Sequence, residues 1–165
     1  DATVVSNPSI SGDGTVVAFC TDATNVVPGE DTNAFPSDGS PVSPPNAQLQ
    51  RSGGIDVYIY DFKTGKLEIG DVDNLGERPQ RSVPTGQYYV QCFSSSLNFD
   101  GSRLVFDSTA QDLVAYSPGS LSNTGTFLRD RAQSKTYVVS YDTGFYNSGY
   151  SPKIASSGDR IFFLE

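Results

Sequence analysis

The chain has 165 residues, 36% of them hydrophobic, 12% aromatic and 18% charged, with a net charge of −8. That is enough apolar material for a packed core and argues against wholesale disorder. The acidic surface repels nucleic acid and anionic lipid, so neither is expected as a partner, and no apolar run approaches the roughly 18 residues of a membrane span, so no membrane insertion is expected.

Histidine, methionine and tryptophan are absent. Without histidine there is no Ser–His or Cys–His nucleophile pair and no His-based zinc site. The missing methionine suits a processed or excised chain. The two cysteines, Cys20 and Cys92, have no CxxC spacing. They suit either one disulfide in an oxidising compartment or two buried thiols.

In chain order, "NPSIS" alternates over a short stretch and Asp13-Gly14 supplies a tight turn, because Asp and Gly tolerate the positive φ that such turns demand. "TVVAFCT" reads as a β-branched strand. From Gly29 to Gly54 the chain is rich in Pro, Ser, Gly and Asn without periodicity, the mark of a loop insertion. "IDVYIYDF" then alternates, Val57 and Ile59 against Tyr58 and Tyr60, and "KTG" turns into a fourth strand, "KLEIGDV". The plan repeats as "SSLNF", "SRLVFDS", "TGTFLRDR" and "KTYVVSY", with Asp61 matching Asp130 and Lys66 matching Lys135. A third start, "SPKIASSGDRIFF", follows. No stretch carries a helical period with capping signals.

Aligned on their turns, Asp13, Asp100 and Ser157 lie 87 and 57 residues apart, each followed by glycine. Four antiparallel strands with a sharp turn after the first is the pattern of a propeller blade. The expected fold is all-β: about two and a half blades of an incomplete propeller. The expected boundaries are 1–86 for a first blade with inserted loop 29–54, 87–147 for a second, and 148–165 for the first half of a third. A compact β-sandwich of the same strands is the alternative. Because "RIFFLE" leaves an apolar strand edge open, an aggregation hazard, another segment or chain is expected to complete the propeller.

Pro8, Ser11, Asp13, Gly14, Phe19, Asp56, Tyr58, Asp61 and Gly65 together resemble the TolB-type, WD-repeat-like β-propeller repeat of secreted and periplasmic bacterial proteins. The second unit keeps Asp100, Gly101, Phe106, Phe127 and Asp130 but lacks the Pro and the Thr-Gly; the third keeps Pro152 and Gly158. The resemblance implies an extracytoplasmic location and a blade fold. It says little of function, since propellers host many.

Candidate sites are few. "PGEDTNA" brings Asp31 and Asn33 close together, and Asp56 begins the next strand. Alternating Asp and Asn oxygens suit a structural Ca²⁺, although the insertion separates Asn33 from Asp56 and an Asx-rich turn explains the same residues. Asp13, Asp100, Asp61 and Asp130 are read as turn-closing residues. No G-x-S-x-G elbow and no strand-following G-x-G-x-x-G occurs. Tyr88, Tyr89, Tyr141, Phe145, Tyr146 and Tyr150 lie in blade-connecting segments. They suit a surface for a protein or glycan ligand, or rings packed between blades. Cys20, near the end of a second strand, and Cys92, before the first strand of the next blade, are placed to meet on one rim. A disulfide there would close a loop of roughly 70 residues, worth about 4 kcal/mol.

The functional expectation is a non-catalytic binding or assembly module within a larger extracytoplasmic protein or complex. The alternative is the propeller portion of a hydrolase or lyase whose catalytic residues lie outside this chain; a purely structural envelope subunit is a third reading.

Overall fold

The computed structural model describes residues 5–23, 26–27, 55–78, 92–110, 113–114, 124–140 and 150–164, with nothing to be said of the side chains of Val5, Ser6 and Tyr150. Among them the chain is all-β. Strands β1 (Val5–Ile10), β2 (Val16–Thr21), β3 (Asp56–Asp61) and β4 (Lys66–Ile69) form one antiparallel sheet in chain order. Strands β5 (Ser95–Leu97), β6 (Arg103–Ser108), β7 (Gly125–Asp130) and β8 (Lys135–Ser140) form a second sheet of the same order, and β9 (Tyr150–Ile154) pairs with β10 (Ile161–Leu164). These are two four-stranded blades and a two-stranded third, the incomplete propeller of the sequence reading.

The turns after β1, β5 and β9 explain why the pattern repeats. Gly14, Gly101 and Gly158 all sit at positive φ, between 68° and 76°. In the first turn the Asp13 carboxylate accepts the Thr15 N–H at 3.1 Å and the Ser11 and Thr15 hydroxyls at 2.7 and 2.8 Å. Asp100 accepts the Ser102 N–H and hydroxyl. The third turn reverses the polarity: Ser157 donates to Asp159. The turns before β4 and β8 are closed by Asp61, which accepts the Lys63 and Thr64 N–H groups, and by Asp130, which accepts that of Gln133.

Packing repeats as well. Phe19 stacks on Tyr58 with ring centroids 5.9 Å apart, and the equivalent Phe106 stacks on Phe127 at 5.7 Å. One apolar core spans both blades, from Val16, Ala18, Val57 and Ile59 to Leu97, Leu104, Phe106 and Phe127.

Along the alternating "IDVYIYDF", Tyr58 is as fully buried as Val57, and it stacks on Phe19 of its own blade. One local expectation is corrected. The fourth strand is shorter than "KLEIGDV", because the chain leaves the sheet at Gly70. There the Gly70 N–H still bonds to the Val57 carbonyl at 2.7 Å, and an added Cβ would meet Leu104 of the second blade at 2.7 Å.

Candidate functional site: the seam between blades and the open edge of β10

The first two blades meet along a polar seam. Arg131, in the β7–β8 turn, reaches back to blade one. Its Nε donates to Glu68 at 2.6 Å, its Nη1 donates to the Gly101 carbonyl at 2.6 Å, and Nη2 lies 3.9 Å from the Asp61 carboxylate. Burial is the largest influence on the Glu68 carboxyl and raises it, but the hydrogen bonds and charges of Arg131 and Lys66 together outweigh it and the net shift is downward. Arg129 donates to the Asp73 carbonyl, and the Thr136 N–H donates to Asn74 at 2.7 Å. Charged donors on partly buried acceptors form the stronger class of hydrogen bond, so these side chains hold the blades in one relative position.

Deeper in the seam lies a buried acidic cluster. Asp71 is wholly buried; one oxygen accepts the Val57 N–H at 3.1 Å, and the other accepts no hydrogen bond among the described residues. Burial pushes its carboxyl well above the usual carboxylate range, and neighbouring Asp56 pushes it further. Asp56 is itself buried, with Arg78 beside it at 3.8 Å.

Beside this cluster Cys20 Sγ lies 2.7 Å from Cys92 Sγ, both cysteines being fully buried and present as thiols. Cys20 is held in register opposite Val57, and Cys92 donates its N–H to the Ile55 carbonyl at 2.9 Å. Burial, then the facing Cys20 thiol, pushes the Cys92 thiol far up.

At the other end of the described structure, the outer edge of β10 carries no strand among the described residues. Phe162 is 63% exposed and Leu164 57%, whereas their repeat equivalents in β6, Val105 and Asp107, are 0% and 1% exposed. In the second blade β7 pairs with β6 residue by residue, from Arg103 opposite Asp130 to Ser108 opposite Gly125, whereas β10 has no such neighbour among the described residues. Arg103 Nε also lies 3.5 Å from the Asp130 carboxylate, and the equivalent Arg160, just before β10, is exposed.

Of the residues singled out by sequence, the structure brings Cys20 and Cys92 together. Asp56 sits in the seam with the Arg78 guanidinium 3.8 Å from its carboxylate. Among the described residues no group of three or more His, Cys, Asp or Glu side chains is arranged to hold a metal. Asp31 and Asn33 lie outside the described residues, as do Tyr88, Tyr89, Tyr141, Phe145 and Tyr146; Tyr150 is placed at the start of β9 by its backbone. Sequence reading missed Arg131, Asp71 and Arg160. Only Arg160 left a signal, standing 57 residues after Arg103 at the same place in the repeat.

No protein-family model matches the chain, and no curated protein matches it. Among solved structures it is similar to the crystal structure of TolB from Acinetobacter baumannii, at 12% identity and a TM-score of 0.49. The match covers 97% of this chain and 26% of that one, so this chain spans about a quarter of the TolB length.

Proposed function

We propose that the chain is a non-catalytic binding or assembly module of a larger extracytoplasmic protein or complex, a set of TolB-type propeller blades whose β10 edge takes an added strand from another segment of the same protein or from another chain. The observation that carries this reading is the exposure of Phe162 at a position whose equivalent, Val105, is wholly covered. The occupant is specified by the repeat: an antiparallel strand with apolar side chains on the covered face and an Asp at its end, opposite Arg160 as Asp130 lies opposite Arg103. Backbone hydrogen bonds would supply the affinity of such strand addition, and the side-chain pattern its choice of partner.

Units of 1–86, 87–147 and 148–165 belong to the same reading. The repeat resemblance and a cysteine pair in contact support an extracytoplasmic setting. Tyr88, Tyr89, Tyr141, Phe145, Tyr146 and Tyr150 would offer a protein- or glycan-binding surface. Calcium at Asp31, Asn33 and Asp56 is a weaker companion, since Asp56 would have to exchange Arg78 for the ion; absence of Ca²⁺ heat in calorimetry removes it.

The test uses a synthetic hairpin with the sequence of residues 124–140, which contains β7 and β8. The 165-residue chain is expected to associate on its own in size-exclusion chromatography and to bind this peptide. Arg160→Glu is expected to weaken peptide binding about tenfold or more, the scale of a lost charge pair at an edge. A monodisperse monomer that binds no peptide overturns the assembly reading; binding indifferent to Arg160 overturns the assigned edge.

A further inference from the structure

We infer that Cys20 and Cys92 form an inter-blade disulfide that is closed during folding, before blades one and two dock. The inference is independent of the assembly reading. It rests on three observations. First, the sulfurs are already in contact at 2.7 Å, across 72 residues of chain. Each cysteine is fixed by backbone, Cys20 by the β2–β3 register and Cys92 by its bond to Ile55. Little chain movement is needed to join them, which is the geometric demand most candidate pairs fail.

Second, the joint recurs in the repeat. The equivalent of Cys20 in blade two is Asp107, which also ties its strand to the start of the next blade, accepting the Ser151 N–H at 3.3 Å. It accepts the Phe93 and Ser94 N–H groups as well, at 2.7 and 2.8 Å. Both blade-to-blade steps among the described residues are therefore joined at this place, by a hydrogen bond at one joint and by a sulfur contact at the other. Third, both cysteines are fully buried, with the carboxylates of Asp71 and Asp107 nearby.

The third observation fixes the order of events. The oxidant is a disulfide, either glutathione disulfide or the disulfide of an oxidoreductase. A thiolate of one cysteine attacks a sulfur of the oxidant, forming a mixed disulfide and releasing one thiol. The second cysteine, having lost its proton, attacks the mixed disulfide, forming the Cys20–Cys92 bond and releasing the second thiol. Two protons and two electrons leave the protein, and the oxidant is reduced to two thiols. The first attack needs an exposed thiolate. The docked seam gives none, since it excludes the oxidant and its low polarity and acidic neighbours disfavour the thiolate. Once closed, the bond is shielded from reductants by the same burial.

The experiment refolds the full chain from the denatured, reduced state in a glutathione redox buffer, followed by non-reducing peptide mapping. The expected product is monomer-internal: the peptides containing Cys20 and Cys92 are joined, and the protein is lighter by two hydrogens. Chain refolded without oxidant and then exposed to glutathione disulfide is expected to oxidise at least tenfold more slowly. The oxidised form is expected to melt roughly 10 °C above the reduced one, and the Cys20→Ala/Cys92→Ala variant is expected to melt the same in oxidising and reducing buffer. Two free thiols after oxidative refolding, or Cys92 linked to another molecule, overturn the disulfide. Equal oxidation rates from the folded and denatured states overturn its early closure.

Discussion

The Ser9 hydroxyl accepts the Leu97 N–H at 3.0 Å, joining β1 of one blade to β5 of the next. The same contact recurs one blade on, where the Ser96 hydroxyl accepts the Ile154 N–H at 3.4 Å. Ser9 and Ser96 occupy one place in the repeat, and Ile10, Leu97 and Ile154 another. The first strands of successive blades do not share a sheet; here a serine oxygen spans the gap between them, and just beyond the strands the backbones bond directly, Asp13 N–H to the Phe99 carbonyl and Phe99 N–H to the Ser156 carbonyl. The third unit has Lys153 where the others have serine, and it is exposed.

Removing these rungs leaves a strand N–H without its acceptor. Ser9→Ala and Ser96→Ala are each expected to cost about 1 kcal/mol, or roughly 2–4 °C in melting temperature for a chain of this size. The two losses should add, since the rungs have separate partners. Thermal melts of the single and double variants check this; unchanged melting of both singles would show that the rungs carry no stability.

Two turn glycines at the same place in the repeat are expected to tolerate alanine very differently. Gly14 and Gly101 both have positive φ, at 73° and 68°. An added Cβ on Gly14 meets open space, whereas one on Gly101 meets Val16 of blade one at 2.5 Å. Gly14→Ala should therefore cost only backbone strain, about 1 kcal/mol. Gly101→Ala adds a clash with a branched side chain in the core, for a total of about 3 kcal/mol. Chemical denaturation ranks them, and equal costs would mean that the blades are not docked as described.

Arg131→Met keeps the length of the side chain and removes the charged fork. It leaves Glu68 and the Gly101 carbonyl, both partly buried in the seam, without their donor. A loss of about 2 kcal/mol is expected, the range for hydrogen bonds to charged groups. Glu68→Gln in the same background should cost little more, because the pair acts together. A double-mutant cycle on these two residues measures the coupling, and additive losses would refute it.

The acid-base behaviour should divide by sign. Asp71 has a raised pKa, caused first by burial and then by Asp56. Such a group stabilises the fold fully below the ordinary carboxylate value of 3.8 and loses that contribution as pH rises through its folded value. Asp13, Asp61 and Asp100 are lowered, chiefly by hydrogen bonds from Ser11, Thr64 and Ser102 respectively, so their contribution is present above the ordinary value and lost in acid. Asp71→Asn is expected to flatten the decline on the neutral side and leave the acid limb intact. Melting curves from pH 2 to 8 test this; a neutral-side slope identical to the parent's would remove Asp71 as its source.

The sequence by itself determined the blades. A strand hairpin needs a period of two and a turn residue that accepts positive φ, and both requirements are local, so "SGDGTVVAF", "NFDGSRLVF" and "SSGDRIFF" announce three units before any contact is known. It also made Asp61 and Asp130 legible as turn residues, because their partners lie two or three residues away. What only the tertiary structure decided is how the blades meet. Asp71 looks like any carboxylate after a strand until Gly70 lets the second blade close over it, and Arg131 shows no partner until docking brings Glu68 within 2.6 Å across 63 residues. Asp56 shows no nearby cation in sequence; docking of distant segments places Arg78 3.8 Å from it. The physical reason is the same in each case: a hairpin is fixed by bonds between near neighbours, whereas burial and charge pairing depend on surfaces brought together from distant parts of the chain.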